Sequence, residues 1–369
     1  MSSALAIAHT EASMGWGGQE IRVLSEARGF LDRGHRVVLY ASRGARIAEE
    51  APSYGVPHVE LPIGAKRPAG VFALARAFRV DRPDVVNTHS STDSWLAAIA
   101  CRFVRPAPAI VRTRHVSVPV PRDPATRWLY GRATARVVTT GDALARQLVR
   151  DNGLDPSRVE SVPTGIDFER FGTIARDAAR RSLGLPADAP IVGIVATLRS
   201  WKGHRHLLDA MARLADPRAM LVVVGDGPQR EALVRQVDSL GLRARVRFAG
   251  QQRDVAPWYA AFDVFVLPST ANEGVPQALL QAMASGVPCV TTDAGAIPEI
   301  ARHDATALVV PTEDPGALAG AIDRLLRDRA LGARLGAAAR AAVVPSFAHA
   351  TMLDRMEIVF RRAIVDAKR

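Results

Sequence analysis

The stretch EGVPQALLQAMASGVPCV, from Glu273 to Val290, opens on a carboxylate and places an amide, Gln281, eight residues later. Pro276 suits the first position of a helix and Gly286 the position just past its end, so a short helix is predicted between them. The leading amides of Gly274, Val275 and Gln277 then lack intrahelical acceptors and face any anion at the helix mouth. Gln281 falls about 7–8 Å along the axis from that start, with Glu273 on the loop outside. A ligand with a phosphate at the mouth and hydroxyl-bearing rings on either side meets both groups, and a nucleotide sugar has that form. The competing reading makes Glu273 a solvated loop acid and Gln281 a surface amide.

Other loops carry groups suited to an anion. In RSWKGHRHLLDA, Arg199 and Lys202 precede a helix, and Lys202 is one of only three lysines in the chain. A forked guanidinium and a compact ammonium suit a diphosphate, against the plainer alternative of two solvated charges. In HTEASMGWGGQE, Gly15, Gly17 and Gly18 lead into a helix near Gln19, which lets backbone N–H groups approach an anion; a flexible turn explains them equally well. Gly225 and Gly227 in GDGPQREAL lack the third glycine of a dinucleotide fingerprint. That segment reads as structural, with Asp226 or Gly227 capping a helix and Pro228 in its first turn.

The elements that must position these groups are legible as apolar runs. ALAIAH, RVVLYA, DVVNTH, AIVRTRH and RVVTT form one series, and PIVGIVATL, AMLVVVGDG, RVRFAG, DVFVLPS, PCVTTDA and ALVVP a second. Short continuous runs alternating with amphipathic segments such as Gln19–Arg33 indicate parallel strands buried on both faces. Two series in 369 residues with mean hydropathy +0.04 indicate two doubly wound α/β domains. The polar segment from Asp167 to Pro190 separates them, which sets domains at 1–170 and 171–346. A final amphipathic helix, 347–369, follows Pro345. In such sheets ligands lie beyond the carboxyl ends of the strands, where the loops quoted above fall.

Composition narrows the function. Cys101 and Cys289 read as separate buried thiols in a reducing compartment, and no Cys/His cluster has zinc spacing. No apolar run is long enough to cross a membrane, and the first residues read as a buried strand rather than a signal peptide. The net charge is +11, and residues 101–150 hold ten arginines against Asp123 and Asp142. Such a face suits phosphate, as nucleic acid, acidic lipid or a lipid-linked substrate. Few aromatics and no helix-turn-helix or finger signature disfavour nucleic acid. An anionic membrane surface is the expected partner, bound weakly and in a salt-sensitive way.

The order of GWGGQE, VVNTHSS, TRH, VPTGID, RSWKGH, VVVGDGP, FAGQQRDV and VLPSTANEGVPQALLQAMASGVPCVTTDAGAIPEI resembles the retaining GT-B glycosyltransferases of family 4, over nearly the whole chain. The resemblance implies two Rossmann-like domains facing a central cleft, with the last helix crossing back to the first domain. It also implies a nucleotide-sugar donor and a glycan or lipid-linked acceptor in cell-surface polysaccharide or lipopolysaccharide synthesis. Placement would be cytoplasmic with peripheral contact at the inner membrane face. Glu273 would contact hydroxyls of the donor sugar, and Gln281, where the family has a second Glu, the ribose. Lys202 and Arg199 would flank the diphosphate, although the family arginine usually lies where this chain has Thr197. Gly17, Gly18 and His115 would lie on the sugar side, and Arg253 and Asp254 near the base. Thr164 replaces the usual Asn of VPTGID and reads as structural.

An amide oxygen accepts from hydroxyls as a carboxylate does, though less strongly, so Gln281 is chemically tolerable. The implied reaction retains the anomeric configuration by a front-face route in which the leaving phosphate helps deprotonate the acceptor. The helix mouth, Lys202 and Arg199 would stabilise the leaving diphosphate, and His115 would orient or polarise groups near the anomeric carbon. No cofactor is expected, and no clustered acids suggest a metal. A sugar-nucleotide epimerase of the same fold and a non-catalytic nucleotide-sugar-binding homologue are the alternatives.

Overall fold

The computed structural model describes residues 3–115 and 118–368. Among these residues the strands form two sheets in which every paired strand is parallel. The first contains β1 (Ala6–Glu11), β2 (Arg36–Ser42), β3 (His58–Leu61), β4 (Val85–Thr88), β5 (Ala109–Arg114), β6 (Arg136–Thr139) and β7 (Val159–Ser161). The second contains β8 (Ile191–Val195), β9 (Met220–Val224), β10 (Val246–Gly250), β11 (Val264–Leu267), β12 (Cys289–Thr292) and β13 (Leu308–Val310). Their orders are β3-β2-β1-β4-β5-β6-β7 and β10-β9-β8-β11-β12-β13. Each order reverses once, between β1 and β4 and between β8 and β11, and the crevices beyond those carboxyl ends are where a doubly wound sheet accepts ligands.

The chain divides into residues 1–165 with 349–369, and residues 166–348. The expected break lay at 170 and 346. In the first unit the helix His349–Ala367 places Met352, Met356, Val359 and Phe360 in the core with Ile7, Val23, Leu24 and Phe30. The second unit has its own core, from Val192 and Ile194 on β8 to Ile322 and Leu335 on its last helices. Its entry helix, Arg176–Leu183, is latched by buried Asp263, which accepts from Arg176, Arg180 and Arg329 at 2.7, 2.7 and 2.8 Å and from the Ile191 amide at 2.7 Å. Among the described residues no helix is long and apolar enough to cross a membrane.

Several expectations need correction. The helix after β11 is Gln277–Ala284, and Pro276 stands before it in an extended conformation rather than in its first turn. Gly286 adopts φ +73 just past its end, as expected. Neither Asp226 nor Gly227 caps the helix after β9, which runs Arg230–Ser239 behind Gln229. The glycines serve a close approach instead: a Cβ on Gly225 would lie 2.1 Å from the Ala196 carbonyl oxygen, and one on Gly227 2.8 Å from the Leu198 backbone. β3 and β7, four and three residues long, are too short and too polar to show an apolar run.

The basic stretch is not one open face. Arg112 is buried and donates to the Ser90 carbonyl at 2.5 Å, Arg114 bonds the Tyr130 hydroxyl, and Arg136 pairs with Glu160 and Asp366. The other seven arginines are exposed. Cys101 and Cys289 are both buried and free, and burial pushes both thiols up, Cys101 to about 12.

Candidate functional site

In the second unit, Lys202 ends a single turn after β8 and Glu273 follows β11, one on each side of the switch point. The Lys202 Nζ lies 2.6 Å from Glu273 Oε1, and the Ser269 hydroxyl donates to the same oxygen at 2.6 Å. Glu273 is 5% exposed, so it is not the outlying loop acid of the sequence reading. A buried carboxylate needs a paired charge and hydrogen bonds, and Lys202 and Ser269 supply both. Glu273 Oε2 has no protein partner among the described residues and remains an open acceptor.

The surrounding backbone is held by close approaches. Gly203, at φ +73, follows Lys202, and a Cβ there would meet the Pro268 carbonyl oxygen at 1.9 Å. Gly295, at φ +59 after β12, brings its backbone so near Glu273 that a Cβ would lie 2.2 Å from the Glu273 carbonyl oxygen. The Ala296 amide donates to that carbonyl at 3.1 Å. Asn272, at φ +60, turns the chain immediately before Glu273. Gly274 and Val275 are buried at the mouth of the helix Gln277–Ala284, and among the described residues none accepts from their amides.

Gln281 lies on that helix, half-buried, with Oε1 3.0 Å from the hydroxyl of buried Tyr259. The amide oxygen is therefore turned inward, and the NH2 is the group left to meet a ligand. A carboxylate in the same place could only accept. Arg199 is exposed, with its guanidinium 5.8 Å from the centre of the Trp201 ring. Asp254 accepts from exposed Arg170 at 3.0 Å and from the Ala256 amide at 3.2 Å, so it pairs on the surface and holds the backbone just ahead of a helix whose N-cap is Val255. Arg253 adjoins it in the loop after β10.

In the first unit, the carboxyl ends of β1, β4 and β5 bring together three histidines. His9 Nδ1 lies 3.0 Å from His89 Nε2, and His89 Nδ1 lies 3.0 Å from His115 Nε2. Burial is the main cause that lowers all three: His9 falls to about 3, with the Arg22 cation adding to the effect, and His89 and His115 lie well below the usual range. The rings are neutral at physiological pH. Asp93 completes a capping box with Ser90 on the helix Ser91–Ala100 and accepts from the His89 amide at 2.9 Å and the Thr10 hydroxyl at 2.5 Å. Glu11, at the end of β1, accepts from the Ser13 amide at 2.8 Å and from Gln19 at 2.5 Å. Burial and then the nearby Asp93 and Glu20 carboxylates raise Glu11 to about 8, which keeps it largely protonated. Gly17 caps and Gly18 begins the helix Gly18–Asp32, one residue earlier than expected.

The fold thus brings Lys202, Glu273, Gly274 and Val275 together, with Gln281 further along the same helix. It sets His115, Gly17 and Gly18 in the other unit. His9, His89, Ser269 and Tyr259 were missed. Three of the apolar runs, ALAIAH, DVVNTH and AIVRTRH, end in histidine, and that shared ending was the available signal. Among the described residues no three His, Cys, Asp or Glu side chains group as a metal site.

Residues 175–342 match the family described as glycosyl transferases group 1, and residues 16–170 match glycosyltransferase family 4. The D-inositol 3-phosphate glycosyltransferase of Mycobacterium leprae is 29% identical over 388 residues, covering 95% of this chain and 89% of that protein. Its counterpart in Mycobacterium tuberculosis is also 29% identical, covering 94% and 79%. Among solved structures, Anabaena Alr3699/HepE in complex with UDP-glucose superposes with a TM-score of 0.86 at 22% identity, covering 97% of this chain and 99% of that one. WaaG, a glycosyltransferase involved in lipopolysaccharide biosynthesis, gives a TM-score of 0.75 at 17% identity, covering 96% and 99%. The two-sheet architecture is the GT-B fold of these structures.

Proposed function

The chain belongs to the group 1 glycosyltransferases, and on that premise we propose that it moves a hexose from a nucleoside diphosphate hexose to an acceptor hydroxyl with retention of anomeric configuration. The observation that carries this reading is the Lys202–Glu273 pair at the β8–β11 switch point, beside the open amides of Gly274 and Val275. These groups supply what a sugar diphosphate requires: an ammonium and N–H donors for the phosphates, and a carboxylate oxygen for sugar hydroxyls.

Lys202 and the helix mouth stabilise the charge that grows on the departing diphosphate. Arg199 adds charge from its exposed position over Trp201. Glu273 Oε2 accepts from hydroxyls of the donor sugar, and the Gln281 NH2 meets a ribose oxygen. Gln277 adds to the helix mouth, and Arg253 and Asp254 border the base. His115, with Gly17 and Gly18 in the first unit, meets a substrate hydroxyl. The bond between the anomeric carbon and the diphosphate oxygen breaks. The acceptor oxygen bonds to the same face of that carbon, and its proton passes to the departing phosphate. No step needs a metal.

The acceptor is a glycan or lipid-linked intermediate of cell-surface polysaccharide or lipopolysaccharide assembly. The enzyme works in the cytoplasm with weak contact to an anionic inner membrane face. The exposed arginines of residues 101–150 and the resemblance to WaaG support this setting. The test is release of nucleoside diphosphate from a panel of UDP- and GDP-hexoses, with inositol phosphate or glycolipid acceptors, in EDTA. Acceptor-dependent release that yields a product of unchanged anomeric configuration is expected. Acceptor-independent release of an altered free sugar, or restoration only by magnesium, would contradict the reading.

A further inference from the structure

We infer that His9 and His89 are positioning residues, which act through His115 by fixing the proton of its neutral ring on Nδ1. The inference rests on the reading above that His115 meets a substrate hydroxyl.

The two N···N distances of 3.0 Å make one continuous chain across three adjacent strands, β1, β4 and β5. A neutral imidazole has one N–H and one lone pair. His89 uses both nitrogens, so if Nδ1 donates to His115 then Nε2 must accept from His9, and the reverse. Both links therefore run in the same direction.

The far end of the chain selects which direction. His9 is wholly buried, and among the described residues its Nε2 has no partner. If the chain ran from His115 toward His9, the last proton would sit on that nitrogen as an orphaned buried donor, a rare and costly arrangement. If it runs from His9 toward His115, the unpartnered atom is only a lone pair. The Arg22 guanidinium lies near enough to act on all three rings, and Arg112 on two of them, so a further proton on any ring is disfavoured. The carboxyl groups nearby are engaged elsewhere. Asp93 bonds Ser90, Thr10 and the His89 backbone, and Glu26 pairs with Arg22 at 3.5 Å and accepts from Asn87.

In this direction His115 Nε2 accepts from His89, and Nδ1–H becomes a donor whose aim is set by two rings behind it. His115 is half-buried, whereas His9 and His89 are buried, so the chain ends at the ring a substrate can reach. A neutral donor of fixed tautomer suits a sugar or acceptor oxygen that gains charge during transfer.

The direct test is the 15N NMR spectrum of histidine-labelled full-length protein, which distinguishes protonated from bare ring nitrogens. The wild-type spectrum should show His115 protonated on Nδ1 and bare on Nε2. A proton on Nε2 would overturn the inference with no variant needed. His9→Leu removes the first donor and should mix the two His115 tautomers, whereas His9→Asn returns an N–H at the position of Nδ1 and should restore one. With UDP-glucose, or whichever UDP- or GDP-hexose the panel shows to be turned over, kcat should fall about tenfold in His9→Leu at unchanged donor KM and recover in His9→Asn. An unchanged His115 tautomer in His9→Leu would overturn the inference. Full activity in His115→Ala would instead remove the reading on which it rests.

Discussion

At the scale of single residues, Lys202 serves two partners. It neutralises buried Glu273 at 2.6 Å, and in the proposed reaction it also faces the diphosphate. Lys202→Ala should therefore lower transfer roughly 10- to 100-fold through the lost charge-assisted contact, and also destabilise the fold by leaving Glu273 buried with Ser269 alone. Thermal melts beside steady-state rates check both; unchanged rates would place the lysine outside the site. His204 gives a second residue-scale prediction. Both its ring nitrogens are buried among Ile194, Leu208 and Phe248 without partners among the described residues, and burial and then Lys202 lower it to about 3. The unfolded imidazole gains its proton near pH 6.5 and the folded one does not, so this group favours unfolding as pH falls from about 6.5 toward 3. His204→Leu should stabilise the protein by about 1–3 kcal/mol at neutral pH, and the gap should widen in acid. Denaturant titrations at pH 7.5 and 5 measure it, and a gap that closes in acid contradicts the account.

At the scale of elements, the loops after β8, β11 and β12 are fastened to one another by backbone contacts that admit no side chain. Gly295 is the clearest case, because its missing Cβ would overlap the Glu273 carbonyl. Gly295→Ala combines a strained positive φ with that overlap, and it should shift Glu273 while the sheet stays intact. A displacement near 1 Å in a positioned group costs on the order of 100-fold in rate. Circular dichroism like wild type with such a loss is the expected result, and full activity would show that the loop adapts. Eleven of the thirteen strands were legible because continuous apolar runs are needed to bury both faces of a parallel sheet, whereas β3 and β7 are too short and polar to show one. The sites were legible only in part. Glu273, Lys202 and the helix mouth lie in local motifs, but the ion pair between Lys202 and Glu273 depends on β8 and β11 being neighbours. Strand order leaves no local trace in the chain. The same reason hid the histidine chain: His9, His89 and His115 meet only because β1, β4 and β5 are adjacent. Spacing made Gln281 a candidate, but the inward turn of its oxygen is set by Tyr259, whose position no spacing reveals.

At the scale of the molecule, the charge excess is smaller at the surface than it looks in the sequence. Arg112, Arg114 and Arg136 serve the interior or pair within the fold, which leaves seven exposed arginines in residues 101–150. Electrostatic attraction of that size to anionic lipid is screened within about 8 Å at physiological salt. Binding to phosphatidylserine or phosphatidylglycerol vesicles should be measurable at low salt and fade near 0.15 M, on the order of the physiological value. Reversing Arg122, Arg127, Arg132 and Arg146 to glutamate should abolish it, and equal binding to neutral vesicles would show that another surface is responsible. Whether one nucleotide sugar is gripped by Glu273 at its sugar and Gln281 at its ribose is read out by calorimetry. The nucleoside diphosphate released in the donor panel is titrated into wild type, Glu273→Gln and Gln281→Ala, each variant also being assayed for transfer. Gln281→Ala leaves Tyr259 its second contact with the Ala278 carbonyl, so the fold survives the change. It should weaken the bare diphosphate by about 1 kcal/mol, a several-fold effect. Glu273→Gln should lower transfer while leaving the diphosphate affinity nearly unchanged. Equal weakening of the bare diphosphate by both substitutions would contradict the account.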